Sequence, residues 1–156
     1  MKGDSERGIG VAVHVMMAKL TDWLDEPTLH TFSGSATYVT HIPMSADDLK
    51  SANRIVLDLG EVKDAAEVKI NGVAAAALVV HPFTTDVRSL LRQGDNEIEV
   101  TVVNSLTNYV STIHWPKNPA NPLVHFPPTS AGLLGPVFLE YQTLSKRGLP
   151  HGRELQ

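Results

Sequence analysis

An Asn-Gly pair inside an alternating apolar run is the feature that most constrains the fold. Residues 66–70 read AEVKI, Asn71-Gly72 follows, and residues 73–80 read VAAAALVV. Asn-Gly is the preferred dipeptide for a two-residue type I′ turn, whose two central residues both need positive φ. The pair therefore predicts the tip of a β-hairpin. Alanine also favours helix in the returning segment, but the turn gives that segment a partner and favours a strand.

Other alternating segments predict more short strands, bounded by turn residues. They cover residues 9–17, 35–42 (which Pro43 is expected to end), 53–62, 96–104 and 132–144. Ser45 and Asp48 form a capping-box pattern for one helical turn, and residues 86–91 suit another. Seven to nine strands without a long helix predict an all-β antiparallel β-sandwich over residues 9–144. Residues 1–8 and 145–156 are expected to be flexible tails.

Composition excludes several classes of function. The 156 residues carry a net charge of −4, and the 13 lysines and arginines are scattered, so no nucleic-acid partner is expected. The absence of cysteine excludes disulfides, thiolate metal sites and thiol nucleophiles. The apolar run at 73–80 is too short to span a bilayer, and no membrane partner is expected. The first residues lack a signal-peptide core with a cleavage site, which leaves the compartment open.

Four segments together resemble the galactose-binding-like jelly-roll domains of glycoside hydrolases, of the kind found in family 2-type enzymes and large α-L-rhamnosidases. They span about two thirds of the chain, residues 32–139. The segments are TFSGSATYVTHI, RIVLDLGEVKDAAEVKINGV, HPFTTDVRSLLRQGDNEIEVTVVN and SAGLLGPVFL. The resemblance implies a jelly-roll sandwich attached to a catalytic domain, in a periplasmic or secreted enzyme of bacterial type. Ser105 and Leu106 depart from the pattern, because a larger aromatic residue commonly follows the first Asn of this loop in the family.

A long aromatic and proline-rich loop at residues 105–131 is the strongest functional candidate. Sugar binding needs a flat aromatic platform together with amides or imidazoles that form hydrogen bonds. The loop supplies this chemistry, and the predicted carbohydrate-binding residues are Trp115, His114, Tyr109, Asn118, Asn108 and His125. In the alternative interpretation, Trp115 and Phe126 plug the end of the sandwich. Trp23 is a second candidate platform, for which packing is the favoured interpretation.

Catalytic and metal chemistry have weaker signals. Carboxylate pairs for a glycosidase could be drawn from Asp58, Glu61, Asp64, Glu67 and Glu140. There is no Gly-x-Ser-x-Gly nucleophile elbow. The seven histidines show no ligand spacing. We therefore expect no catalytic residue and no cofactor, with the metal site unknown and a structural calcium ion left open by the resemblance.

The sequence thus predicts a non-catalytic carbohydrate-binding or accessory module related to a glycoside hydrolase, with weak glycan binding through the aromatic loop. The expected partners are a carbohydrate and a glycosidase catalytic domain, and the oligomeric state is open. Two alternatives remain: a docking domain without sugar affinity, and a small stand-alone glycoside hydrolase.

Overall fold

The computed structural model describes residues 19–113, 126–143 and the backbone of 151–154. Ten strands and two short helices lie in these parts of the chain. In chain order they are β1 (Ser35–Met44), α1 (Ala46–Ser51), β2 (Arg54–Asp58), β3 (Glu61–Lys63), β4 (Ala65–Ile70), β5 (Val73–Leu78), β6 (Thr84–Asp86), β7 (Gly94–Val103), α2 (Thr107–Val110), β8 (Gly132–Gly135), β9 (Phe138–Gln142) and β10 (His151–Glu154).

The strands form two four-stranded antiparallel sheets and a small ladder. The first sheet has the order β1-β7-β4-β5, the second has the order β10-β9-β2-β6, and β3 pairs with β8. Inward side chains of the two large sheets form one buried core, which includes Ile98 and Val100 of β7 and Ile55 and Leu57 of β2. The predicted all-β antiparallel sandwich is confirmed.

The Asn71-Gly72 turn is confirmed. Asn71 and Gly72 adopt φ values of 53° and 76°, and Ile70 pairs with Val73 across the turn. The alanine-rich segment returns as strand β5 rather than as a helix. Because the turn fixes the antiparallel partner, helix propensity is overridden by pairing.

The predicted alternation in β7 is also confirmed: Ile98, Val100 and Val102 are buried. Strand β1 continues through Pro43 to Met44, although Pro43 was expected to end it. The first sheet places β1 at its edge, and proline is tolerated on an edge strand because its missing N–H need not serve a second neighbour.

Helix α1 begins with the predicted capping box. The Ser45 hydroxyl accepts the Asp48 backbone N–H at 3.0 Å, and the Asp48 carboxylate accepts the Ser45 backbone N–H at 3.0 Å. The one or two helical turns predicted at residues 86–91 reduce to a single hydrogen-bonded turn: β6 ends at Asp86, and Leu91 N–H then bonds to Val87 O at 3.2 Å.

Two segments bear on the predicted domain bounds. The predicted first strand, residues 9–17, lies outside the described residues. Strand β10 lies within the segment predicted as a flexible C-terminal tail, and its backbone pairs with β9 from His151–Tyr141 to Glu154–Phe138. The bounds at 9 and 144 remain predictions.

Candidate functional site

Strand register brings the base of the aromatic loop to one end of the first sheet. Ser35 of β1 and Ala65 of β4 both pair with Val103, the last residue of β7. The loop that leaves β7 therefore starts beside the entry to β1 and the entry to β4. We call this region the loop end, and it comprises residues 32–34, 64, 103–113 and 126–131.

The asparagine that directly follows β7 fastens the loop to the start of β1. Asn104 Oδ1 accepts Gly34 N–H at 2.8 Å, and Asn104 Nδ2 donates to Phe32 O at 2.9 Å. Its backbone N–H also donates to Gly34 O at 3.1 Å. One side chain thus supplies partners for two backbone groups that lie outside the sheet ladder.

Two further hydrogen bonds hold the chain between β7 and α2. Ser105 N–H donates to Asp64 Oδ2 at 2.8 Å, and Tyr109 N–H donates to Ser33 Oγ at 2.9 Å. Helix α2 is therefore fixed to the segments that precede β1 and β4. Short as it is, the helix has a defined position at the loop end.

Asn108 joins the two stems of the loop. Its Oδ1 accepts Thr129 N–H at 2.7 Å, and its Nδ2 donates to Thr129 O at 3.0 Å. The side chain is buried, with 1% exposure. This pair of backbone bonds closes the loop between residues 108 and 129 at its base.

Apolar side chains are exposed around this closed base. Tyr109 is 58% exposed, although its backbone is fixed by Ser33. Further exposed apolar residues at the loop end are Val103, Leu106, Ile113 and Phe126. These exposed side chains lie on the same end of the sheet as the fixed loop stems.

The structure describes two of the six predicted carbohydrate-binding residues, Tyr109 and Asn108. Tyr109 is exposed at the loop end, where an aromatic ring can meet a ligand. Asn108 is buried and its amide is engaged by Thr129, so its observed role is to hold the loop stems together. His114, Trp115, Asn118 and His125 lie outside the described residues, and their role remains a prediction.

Trp23 belongs to the core, as the packing interpretation predicted. Its ring is fully buried, its Nε1 donates to Tyr38 Oη at 2.7 Å, and it packs edge-on against Phe32 with ring centroids 5.4 Å apart. A Cβ on Gly132 would lie 2.4 Å from Trp23 Nε1, so a residue without a side chain is required there. Trp23 is therefore not a ligand platform.

Asp22 is a charged anchor next to Trp23 that sequence reasoning missed. Its Oδ1 accepts the N–H groups of Leu24 and Ala131, both at 3.0 Å. Burial raises the pKa of Asp22, but these bonds, with the Ser130 side chain and the positive charge of Lys63, outweigh it and hold the pKa below 3.8. No pattern in the sequence marked this contact, which joins residues far apart in the chain.

Three of the carboxylates considered for catalysis have partners within the protein. Asp58 Oδ1 accepts Gly60 N–H at 2.8 Å, Glu61 pairs with Lys63 at 2.8 Å, and Asp64 holds Ser105. The Glu61 partner raises the pKa of Lys63.

Within residues 19–113, 126–143 and 151–154, no group of three or more His, Cys, Asp or Glu side chains could hold a metal ion. In the same parts of the chain, no helix has the length and apolar character needed to cross a membrane.

Comparison with known proteins places this fold among glycoside hydrolases. The chain is similar to part of the rhamnosidase of Novosphingobium sp. PP1Y, with 29% identity and a TM-score of 0.61 over 73% of this chain and 11% of that one. The fold also matches a β-D-mannosidase of Dictyoglomus thermophilum, with 18% identity and a TM-score of 0.53 over 78% of this chain and 17% of that one.

A sequence relative points the same way. A protein of Formosa agariphila, whose name assigns it provisionally as a β-glucuronidase, is 36% identical over 96 residues, which are 60% of this chain and 8% of the relative. No protein-family model matches the chain.

These findings define the fold class: the chain is an antiparallel β-sandwich that is similar to a domain-sized part of a rhamnosidase and shares its fold with part of a mannosidase. The resemblance seen in the four sequence segments is confirmed. The chain spans about a tenth of the rhamnosidase and less than that of the curated relative, so it corresponds to a domain-sized piece of each.

Proposed function

We propose that this chain is the non-catalytic accessory sandwich of a larger glycoside hydrolase, and that it binds glycans weakly through its loop end. The observation that carries the proposal is the match to 11% of a rhamnosidase chain over 73% of this one. Most of the rhamnosidase chain lies outside the match, which leaves room for a separate catalytic region. The carbohydrate and the catalytic domain are therefore its proposed partners.

The loop end supports the binding half of the proposal. Asn104 and Asn108 fix the loop stems, and the Tyr109 ring is exposed above this fixed base. A ring held by a fixed backbone loses little conformational entropy when a ligand stacks on it. Trp115 is the second proposed platform, and the proposed polar ligands are His114, Asn118 and His125.

Intrinsic fluorescence offers a direct test, because the chain has two tryptophans and one of them is fully buried. The Trp23 Nε1 donor is already bonded to Tyr38, so a glycan that does not unfold the protein leaves Trp23 unchanged. A change in emission on titration with plant or bacterial polysaccharides is expected to come from Trp115. Trp115→Ala should abolish the change and weaken binding in affinity electrophoresis, whereas Trp115→Phe, which also lacks the fluorophore, should retain part of the affinity in electrophoresis.

Tyr109 gives a second test that does not depend on fluorescence. Tyr109→Ala should weaken glycan binding in affinity electrophoresis, and Tyr109→Phe should not, because the phenyl ring keeps the stacking surface. Val39→Ala is a matched control, since Val39 is an exposed residue on β1, away from the loop end. Equal binding by all three variants, together with undiminished binding of Trp115→Ala in the same electrophoresis, would refute glycan binding at this end.

The second candidate is a docking domain without sugar affinity. The exposed aliphatic side chains of Leu106 and Ile113 favour it, because they offer apolar area but no hydrogen bonds to hydroxyl groups. This candidate predicts that no glycan perturbs the protein even at millimolar concentration. It also predicts that the coding sequence next to this chain continues into a catalytic domain.

A further inference from the structure

Asn71, besides forming the β4–β5 turn, is followed by glycine and is therefore prone to deamidation. Of the seven asparagines in the chain, Asn71 is the one followed by glycine. In an Asn-Gly pair the glycine backbone nitrogen can attack the asparagine Cγ, because no side chain hinders the approach. A new N–C bond forms, the side-chain nitrogen leaves as ammonia, and water then opens the succinimide to aspartate or isoaspartate. Water is the one co-reactant.

The folded protein holds the Asn71 carboxamide by three hydrogen bonds. Its Nδ2 donates to Leu90 O at 3.0 Å and to Asn96 Oδ1 at 2.9 Å, and its Oδ1 accepts Glu97 N–H at 3.1 Å. If attack by Gly72 requires the carboxamide to turn toward the glycine nitrogen, these three bonds must break together. The leaving nitrogen is the atom that makes two of them.

The partner of Asn71 is itself fixed. Asn96 is fully buried, its Oδ1 also accepts Arg92 N–H at 2.9 Å, and its Nδ2 donates to Arg92 O at 2.8 Å and Gly94 O at 3.0 Å. We call this region, Asn71-Gly72 with residues 90–97, the amide end. Because each amide atom of Asn96 is engaged, the Asn71 side chain cannot turn without disturbing the segment before β7.

We propose that Asn71 is a latent site of non-enzymatic deamidation, which the hydrogen bonds of the amide end protect in the folded protein and which local opening exposes. The reaction then makes the opening permanent. The side chain of an aspartate at position 71 has no N–H to donate, and its carboxylate faces the acceptor oxygens of Leu90 and Asn96. Isoaspartate also adds a backbone atom to the two-residue turn, which disturbs the pairing of β4 with β5.

Peptide mapping of the full chain provides the test. Trypsin cleaves after Lys69 and Arg88, and the peptide of residues 70–88 contains Asn71 as its one asparagine and no glutamine. The mass increase from exchange of NH₂ for OH in this peptide therefore reports Asn71 alone. In mildly alkaline buffer we expect this increase to be roughly 100-fold slower in the native protein than in urea, because three hydrogen bonds must be lost.

Two variants separate local from global opening. Asn96→Ala removes one acceptor of Asn71 and should accelerate native deamidation roughly tenfold. Asn104→Ala is the matched control, since it removes an amide with comparable backbone bonds at the loop end and should leave the Asn71 rate unchanged. Equal native and urea rates in the wild type would overturn the proposal, as would equal acceleration by both variants. If Asn96→Ala fails to fold, the wild-type comparison decides.

Discussion

Asparagine side chains form hydrogen bonds at both ends of the first sheet, but they connect different parts of the chain at each end. At the amide end, Asn71 and Asn96 bond to each other and to backbone groups just before and at the start of β7. At the loop end, Asn104 and Asn108 bond to the backbone of segments distant in sequence. The ten residues of β7 connect the ends, which are therefore about 30 Å apart.

The difference lies in what each end leaves exposed. At the amide end, the side chains of Asn71 and Asn96 join the tip of the β4–β5 hairpin to the turn before β7. Their amide atoms bond to other groups of the protein. The loop end uses Asn108 to close the base of a loop, and the Tyr109 side chain beside it remains exposed. Buried amides thus stabilise the fold at one end, and at the other they support an exposed surface on which ligand binding can evolve.

The largest expected effect of a single substitution in this comparison is at the amide end. Asn96→Ala should lower the free energy of unfolding by about 3 kcal/mol, because the backbone of Arg92 and the amide of Asn71 lose the partners that the fully buried Asn96 side chain supplies. Urea denaturation of the purified protein measures the loss. The neighbouring exposed Asp95 is the control, and Asp95→Ala should cost less than about 0.5 kcal/mol. If both variants lose a similar amount of unfolding free energy, the Asn96 network stabilises the fold no more than an exposed side chain does.

Removing the buried asparagine amide at the loop end should lower the free energy of unfolding by less, and its effect should be confined to the loop. Asn108→Ala should cost about 1–2 kcal/mol, and it should also accelerate proteolytic cleavage between residues 108 and 129, because both bonds that close the loop are lost. Thr129→Val is the control, since it retains both backbone bonds to Asn108. Unchanged cleavage in Asn108→Ala would show that Asn108 does not close the loop.

The sequence predicted the strands better than it predicted the contacts between their ends. Alternation in β7 and the Asn71-Gly72 turn depend on neighbours in the chain, and both were confirmed. The bonds from Asn71 to Asn96 and from Asn108 to Thr129 join residues 25 and 21 positions apart. Such pairings depend on strand register, which a single sequence does not display. For the same reason, Asn108 was predicted as a sugar ligand before its amide was found to hold Thr129.

A pH titration tests whether the charge of Asp22, which accepts the Ala131 N–H at the loop end, stabilises the folded protein. Since the folded-state pKa of Asp22 is lowered, its ionised carboxylate stabilises the fold above the ordinary value of 3.8, and this contribution is lost as the pH falls through the lower folded-state value. Asp22→Asn keeps an oxygen acceptor for Leu24 and Ala131 but has no charge to lose. The difference in unfolding free energy between wild type and variant should therefore shrink in acid. A difference that stays constant with pH would contradict a lowered pKa.

The smallest expected effect on stability is at the exposed ring that we propose as a ligand platform. Tyr109→Ala should change the free energy of unfolding by less than about 0.5 kcal/mol, because the side chain is 58% exposed and the bond to Ser33 comes from the backbone. Ser33→Ala removes that bond and serves as the opposite control: it should loosen α2 while keeping the ring. If glycan affinity falls in Tyr109→Ala at unchanged stability, the loop end is a binding surface supported by a fixed base. If stability falls instead, the ring packs against the loop, and the two ends differ less than their exposed surfaces indicate.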